Sequence, residues 1–294
     1  MKILLCGAGG FIGRHLFAAL RDAGHDCIAG VRQARQSGQM AIDYARDLRT
    51  DVWLPRLADV DVVINAIGVL RDTRSQPMDS LHARAPAALF NACKMAGVKK
   101  VIHVSALGVG TDINTHYFRS KLVAEQALIA CGDALDYLIL RPSVVYGKDG
   151  ASARMFRFQA RLPVHTLPMG GVQMLQPVHI NDIAEACVRW LDSASGSMIV
   201  DAVGADAVSM REMLDTYRQQ MGHGHALHIP VPAFMVKLAA KAGDLLPMSP
   251  LSTENLAMLD AGSTADSEPF SKLLERRPLS VHEFLAAEDQ ISAK

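Results

Sequence analysis

Tyr117 and Lys121 stand four residues apart in the run Tyr-Phe-Arg-Ser-Lys. On a helix that spacing places both on one face. An ammonium beside a phenol stabilises the phenolate and lowers the tyrosine pKa. The tyrosine then becomes usable as a general acid or base nearer neutral pH. Ser105 closes the apolar run that precedes this pair. Its hydroxyl can bond a substrate oxygen and orient it toward Tyr117. The three groups together suit protonation of a carbonyl oxygen while a nicotinamide delivers hydride, or the reverse. Lys121 can also hold the nicotinamide ribose. Taken alone, Tyr-x-x-x-Lys also describes an ordinary surface pair, so its weight depends on the elements around it.

The first of those elements is the stretch KILLCGAGGFIG, residues 2–13. Lys2 to Cys6 is an apolar run of strand length. Phe11, Ile12, Leu16, Phe17 and Leu20 recur at helical spacing up to Asp22, and Gly24 supplies a stop. Gly7, Gly10 and Gly13 therefore fall at a strand-to-helix turn. A helix start offers unpaired N–H groups and partial positive charge, which suits a pyrophosphate. Gly7, Gly10, Phe11, Ile12 and Gly13 are the expected diphosphate contacts of a dinucleotide-binding turn.

A second strand, Cys27–Val31, ends at Arg32. An acid at this place favours a ribose hydroxyl, and arginine favours a 2′-phosphate. Arg32 and Arg35 thus point to NADP in preference to NAD. Met40–Tyr44 reads as a third strand, and Asp43 there either bonds the adenine amino group or caps the next turn. Val60–Gly68 contains a fourth, ending at Asn65, Ala66, Ile67 and Gly68, small enough in part for close approach to a cofactor. A helix follows over 80–97, a strand over 98–105, a helix over 122–130 and a strand over 137–141 before Pro142. Alternating strands and helices predict an α/β fold, a Rossmann-type doubly wound parallel sheet with a smaller C-terminal lobe. Ligands of such sheets bind at the carboxyl ends of the strands. Gly10, Asn65, Ser105 and Pro142 all lie at such ends and should face one crevice.

After Gly147 the pattern changes, and 150–176 shows Gly, Pro and Met without long periodic runs. Helices are expected over 180–191, 210–221 and 234–246, and a late strand over 198–203. The simplest division is a nucleotide-binding domain over 1–149, with 177–204 packed back onto it, and a substrate-side lobe from 150–176 and 205–294. The 294 residues carry 30 Lys+Arg and 30 Asp+Glu, and this balance argues against a nucleic-acid partner. The five cysteines lack any C-x-x-C pair and read as buried thiols of a reducing compartment. No leader precedes the first strand and no apolar run spans a bilayer, so a cytoplasmic protein with a small-molecule substrate is expected. The 234–246 helix, with Lys237 and Lys241, suits either packing of the small lobe or peripheral contact with a membrane or a complex; packing is the preferred reading. His223, His225 and His228 invite a metal reading, but no ligand set accompanies them, and a solvated loop is the expectation. Arg71, Asp72 and Arg74 form a polar loop, and the methionines 169, 174, 248 and 258 read as packing.

CGAGGFIG (6–13), NAIG (65–68), HVSALG (103–108), YFRSK (117–121), LRPSVVYG (140–147) and QPVHINDIAEA (176–186) together resemble the short-chain dehydrogenase/reductase superfamily. Within its extended and atypical branches the chain is most similar to the group of the 39 kDa-type accessory subunits of respiratory complex I. The tail LPMSPLSTENLAML (246–259) shares that likeness. The resemblance implies that Gly7, Gly10 and Gly13 form the cofactor turn. It implies that Ser105, Tyr117 and Lys121 are the catalytic serine, tyrosine and lysine. It also implies that Pro142, Ser143 and Val144 form the loop whose backbone faces the nicotinamide amide. Three departures count against a sugar-nucleotide enzyme: a short gap between Ser105 and Tyr117, His82 where many extended members carry asparagine, and Ala106 and Leu107 in place of a dehydratase acid pair. Members near the complex I group hold nucleotide without an established reaction. A non-catalytic assembly or sensing role therefore stands beside the oxidoreductase reading, with a nucleotide-sugar epimerase third.

Overall fold

Buried β-rich runs separated by amphipathic helices leave a parallel sheet as the arrangement that covers every apolar face. A computed structural model of the chain describes residues 1–73, 76–194, 196–245 and 252–292. In chain order the elements are β1 (Lys2–Cys6), α1 (Phe11–Asp22), β2 (Asp26–Val31), β3 (Gln39–Ala41), α2 (Thr50–Trp53), β4 (Val62–Asn65), α3 (Ala85–Ala96), β5 (Lys100–Val104), α4 (His116–Ile129), β6 (Asp136–Pro142) and β7 (Val145–Tyr146). There follow α5 (Ala151–Arg161), β8 (Val164–Pro168), β9 (Met174–Leu175), β10 (Val178–His179), α6 (Ile180–Asp192), β11 (Met198–Ala202), β12 (Val208–Ser209), α7 (Met210–Gln220), β13 (Leu227–Val231), α8 (Ala233–Asp244), α9 (Thr253–Asp260), α10 (Glu268–Leu274) and α11 (Phe284–Ser292).

Seven strands form one sheet in the order β3-β2-β1-β4-β5-β6-β11. The pairs from β3 through β6 are parallel, with Cys6 opposite Gly30 on one side and Asn65 on the other. The order reverses between β1 and β4, which is the topological switch point where a Rossmann-type fold opens a crevice. Contacts divide the chain into two units, Met1–Arg141 with Ile183–Val200, and Pro142–Asp182 with Asp201–Lys294. The core of the first unit includes Trp53, Phe90, Leu89, Val101 and Ile139. The second unit is built around Tyr146, Tyr217 and Phe284 with Leu167 and Met213.

Several elements differ from the sequence expectation. The third strand stops at Ala41, and Asp43 lies beyond it in a turn. The helix bearing Tyr117 begins at His116 rather than Leu122, because Thr115 caps it by accepting from the Phe118 N–H at 3.2 Å. The helix expected over 80–97 opens with a π turn over Ser80–Arg84 and ends at Gly97 in a left-handed conformation. Residues 150–176 contain α5 and β8. His228 lies in β13, not in the loop that holds His223 and His225. In α8 only Val236, Ala240 and Gly243 are buried, while Phe234 (70 % exposed) and Leu238 (68 %) face outward. That helix therefore does not bury its larger apolar side chains among the described residues. Arg74, Pro247, Met248, Pro250 and the first part of the 246–259 tail lie outside the described residues. No described helix is long and apolar enough to cross a membrane.

Candidate functional site

The turn after β1 is closed by backbone. Gly7 has φ +89°, a conformation that side chains rarely adopt, and its N–H donates to Gly30 O at 3.2 Å. A Cβ on Gly13 would lie 2.0 Å from Gly7 O, so α1 can approach the turn only with glycine there. Gly10 caps the helix through extended backbone, and a Cβ on Gly9 would meet nothing within 4 Å. Phe11 and Ile12 open α1, whose first turn carries no acidic side chain. A helix start of this kind leaves N–H groups unpaired and, with no acidic side chain in its first turn, fits an anionic diphosphate.

Arg32 and Arg35 follow β2 and are exposed. Arg35 Nη2 donates to Gln33 Oε1 and the Arg35 N–H donates to Gln39 Oε1, which stiffens this loop. Asp43 Oδ1 accepts from the Ala45 N–H at 3.0 Å, so of its two expected roles the geometry supports the turn cap.

Asn65, the last residue of β4, has no exposed surface. Its Oδ1 accepts from the Tyr44 hydroxyl at 3.1 Å and the Ile67 N–H at 3.2 Å, and its Nδ2 meets His103 Nδ1 at 3.1 Å. The side chain therefore shapes the Ala66–Gly68 loop instead of projecting from it. Burial, Lys121 and His82 hold His103 well below the usual imidazole pKa, which leaves it a neutral acceptor. His82 Nε2 accepts from the Val69 N–H at 2.9 Å, which places its proton on Nδ1, 3.1 Å from Ser120 Oγ. Ser120 in turn donates to Tyr117 O. Burial, then Lys121, lowers the His82 pKa to about 2, so it stays neutral. The histidine that departs from the family pattern thus ties the loop after β4 to α4, and its ring meets that of Tyr117 edge-on at 5.4 Å.

Lys121 is 3 % exposed and donates to Val104 O at 2.8 Å. Its ammonium lies 3.5 Å from where a Cβ on Gly68 would stand, an ordinary van der Waals separation. Burial lowers its pKa to about 8, against the opposing pull of Glu125. Tyr117 lies one turn earlier on the same helix, and no hydrogen bond engages its hydroxyl among the described residues. Burial raises the phenol to about 12. The lowered tyrosine pKa expected from a neighbouring ammonium is therefore not found: desolvation acts on both groups, and the lysine amine is held at the Val104 carbonyl.

Ser105 Oγ donates to Glu125 Oε1 at 2.5 Å, and Glu125, 1 % exposed, is gripped by Arg141 through Nε at 3.0 Å and Nη2 at 2.5 Å. The sequence reading missed both Glu125 and Arg141. The available signals were a carboxylate one turn beyond Lys121 on the Tyr117 face and an arginine ending an otherwise apolar strand.

In the second unit Pro142 ends β6, Ser143 N–H donates to Ala202 O at 3.0 Å, and Ser143 Oγ pairs with Ser263 Oγ at 2.9 Å. Val144 O accepts from the Val178 N–H at 3.0 Å.

The family model described as NAD dependent epimerase/dehydratase matches residues 3–200. The chain is 27 % identical over 262 residues to the mitochondrial NADH dehydrogenase (ubiquinone) 1 alpha subcomplex subunit 9 of Mus musculus, covering 85 % of this chain and 68 % of that one. It is 25 % identical over 247 residues to the ceramide reductase of Caulobacter vibrioides, covering 79 % and 75 %. The solved NADPH-dependent quinone oxidoreductase QOR2 of Escherichia coli, complexed with NADPH, superposes with a TM-score of 0.73 at 18 % identity, over 98 % of this chain and 99 % of that one.

Proposed function

The chain belongs to the NAD dependent epimerase/dehydratase family, and from that premise we propose that it is a nicotinamide-nucleotide-dependent oxidoreductase acting on a carbonyl/alcohol pair. The observation that carries the reading is the pair on α4: an unengaged Tyr117 hydroxyl one turn from the buried Lys121 ammonium. Gly7, Gly10, Phe11, Ile12 and Gly13 would hold the diphosphate of the nucleotide. Asn65, Ala66, Ile67 and Gly68 would border it, and Pro142, Ser143 and Val144 would present backbone to the nicotinamide amide. A bound nicotinamide supplies or accepts the hydride. Tyr117 remains a protonated phenol at neutral pH, so in the reductive direction it is set to donate a proton to a substrate oxygen. Lys121, charged below about pH 8, would anchor the ribose and, once turned from Val104 O, offset the negative charge that develops on Tyr117. Ser105 can orient the same substrate oxygen once its hydroxyl turns from Glu125. Arg32 and Arg35 favour NADP through a 2′-phosphate, while solved relatives and the family description cover both nucleotides.

The test is Tyr117→Phe assayed against a carbonyl panel with NADH and NADPH. Loss of turnover with nucleotide affinity unchanged supports the mechanism, and surviving turnover on a substrate of the unaltered chain sinks it.

A second reading is favoured by one observation, the outward Phe234, Met235 and Leu238 of α8. Together with the likeness to a complex I subunit, this face supports a nucleotide-holding subunit of an assembly, which would keep the glycine turn and not need Tyr117. Stoichiometric co-purification with a membrane complex, with no turnover across the panel, would favour it.

A further inference from the structure

β8 and β13 run parallel, and their register sets His165 directly against His228. Direct partners in a strand pair project from the same face, and the two rings lie 5.4 Å apart. Asp215, from the middle of α7, reaches the same point. Its Oδ1 is 2.8 Å from His228 Nε2 and 3.7 Å from His165 Nδ1. The three donor atoms lie within 4.8 Å of one another, and all three residues belong to the second unit.

His165 has no exposed surface, and its Nδ1 has no hydrogen-bond partner among the described residues. The other ring nitrogen lies 3.4 Å from Ala160 O, so the proton belongs there and the Nδ1 lone pair faces Asp215 and His228. A metal-ligating imidazole characteristically donates its second N–H to such a carbonyl. Of the two cations on α7, Arg211 and Arg218, the second is engaged by the carbonyls of Ala160, Arg161, Leu162 and Gly224. The side chains of Asp215 and His228 keep 32 % and 18 % of their surface exposed, which gives an ion a water-facing side.

We propose that His165 Nδ1, Asp215 Oδ1 and His228 Nε2 form a site for one divalent cation of the Zn²⁺ class, with water completing the shell. Two imidazoles and a carboxylate are a donor set such borderline ions accept. Tetrahedral Zn²⁺ spaces its donors about 3.3 Å apart, between the two separations observed. The ion would pin the β8–β13 pair to α7. His223 and His225, in the loop before β13, are outside the set.

The experiment titrates chelator-treated full-length chain with Zn²⁺ by calorimetry and with Co²⁺ by visible absorption. One equivalent of each, with Co²⁺ bands of a four-coordinate N/O site displaced by Zn²⁺, is expected. Asp215→Asn and His228→Gln should each weaken Zn²⁺ binding at least about 100-fold, while His223→Gln/His225→Gln should not change it. Circular dichroism reports whether each variant is folded, and the Co²⁺ spectrum of the unaltered chain stands independently of them. Absence of stoichiometric binding overturns the proposal. So does binding that survives both substitutions, or that is lost only in the His223/His225 variant.

Discussion

Raising the pH from 7 to 10 should stabilise this fold at one buried position. In the folded chain Lys121 has its pKa lowered to about 8, and in the unfolded chain it returns to 10.5. Below the folded value both states hold the proton, and the unfavourable burial of the charge is fully felt. Between the two values the folded chain has released the proton while the unfolded chain still binds it, so stability rises with pH. Over pH 7 to 10 that linkage amounts to about 2.5 kcal/mol. The residue is 3 % exposed, so solvent screening does not reduce it. The assay is urea unfolding of the unaltered chain and of Lys121→Met at both pH values. The difference between the two proteins cancels every other titrating group that does not couple to Lys121. The hydrogen bond to Val104 O cancels as well, because a neutral amine still donates. The unaltered chain should gain about 2.5 kcal/mol on the variant as the pH rises. A difference that stays constant within about 0.5 kcal/mol would refute the argument that Lys121 is a desolvated ammonium at neutral pH.

Gly13→Ala drives a Cβ into Gly7 O and should cost nucleotide affinity about 10- to 100-fold by calorimetry, through strain in the turn; unchanged affinity would mean the turn does not hold the diphosphate. Glu125→Gln removes the carboxylate that faces Arg141 and should lower stability by about 3 kcal/mol in urea, as does breaking other buried pairs. Since Glu125 also raises the Lys121 pKa, that substitution should shift the lysine titration downward, read as an earlier onset of the alkaline gain. Arg32→Ala should reduce the NADPH-to-NADH affinity ratio about 10-fold, the worth of one charge-assisted contact; an unchanged ratio assigns nucleotide choice elsewhere.

The β1–turn–α1 unit was legible to the residue because two strong local signals coincide there, an apolar run and glycines that only a tight turn requires. The start of α4 was not. His116 to Lys121 is mostly polar and shows no apolar period, and the cue lay in Thr115, whose side chain caps the helix. Ser105, Tyr117 and Lys121 could be grouped from strand ends and helical spacing, but the buried partner of Ser105 could not. The Ser105–Glu125–Arg141 chain joins β5, α4 and β6 through side chains, and only the packed sheet brings them together. His228 illustrates the same limit more sharply. Its strand contains Pro230 and is half exposed, so it carries no strand signal, and its pairing with His165 spans a parallel register that no local pattern encodes.

The polar groups credited with proton handling, Ser105, Tyr117 and Lys121, come from a single strand–loop–helix segment. The groups credited with gripping the nucleotide come chiefly from the turn after β1 and the ends of β2 and β4. Recognition and reactivity are thus written largely in separate paragraphs of the polypeptide, with Lys121 proposed to serve both. A lineage that stopped catalysing could lose the Tyr117 hydroxyl, which no hydrogen bond engages among the described residues, while the glycine turn stayed intact.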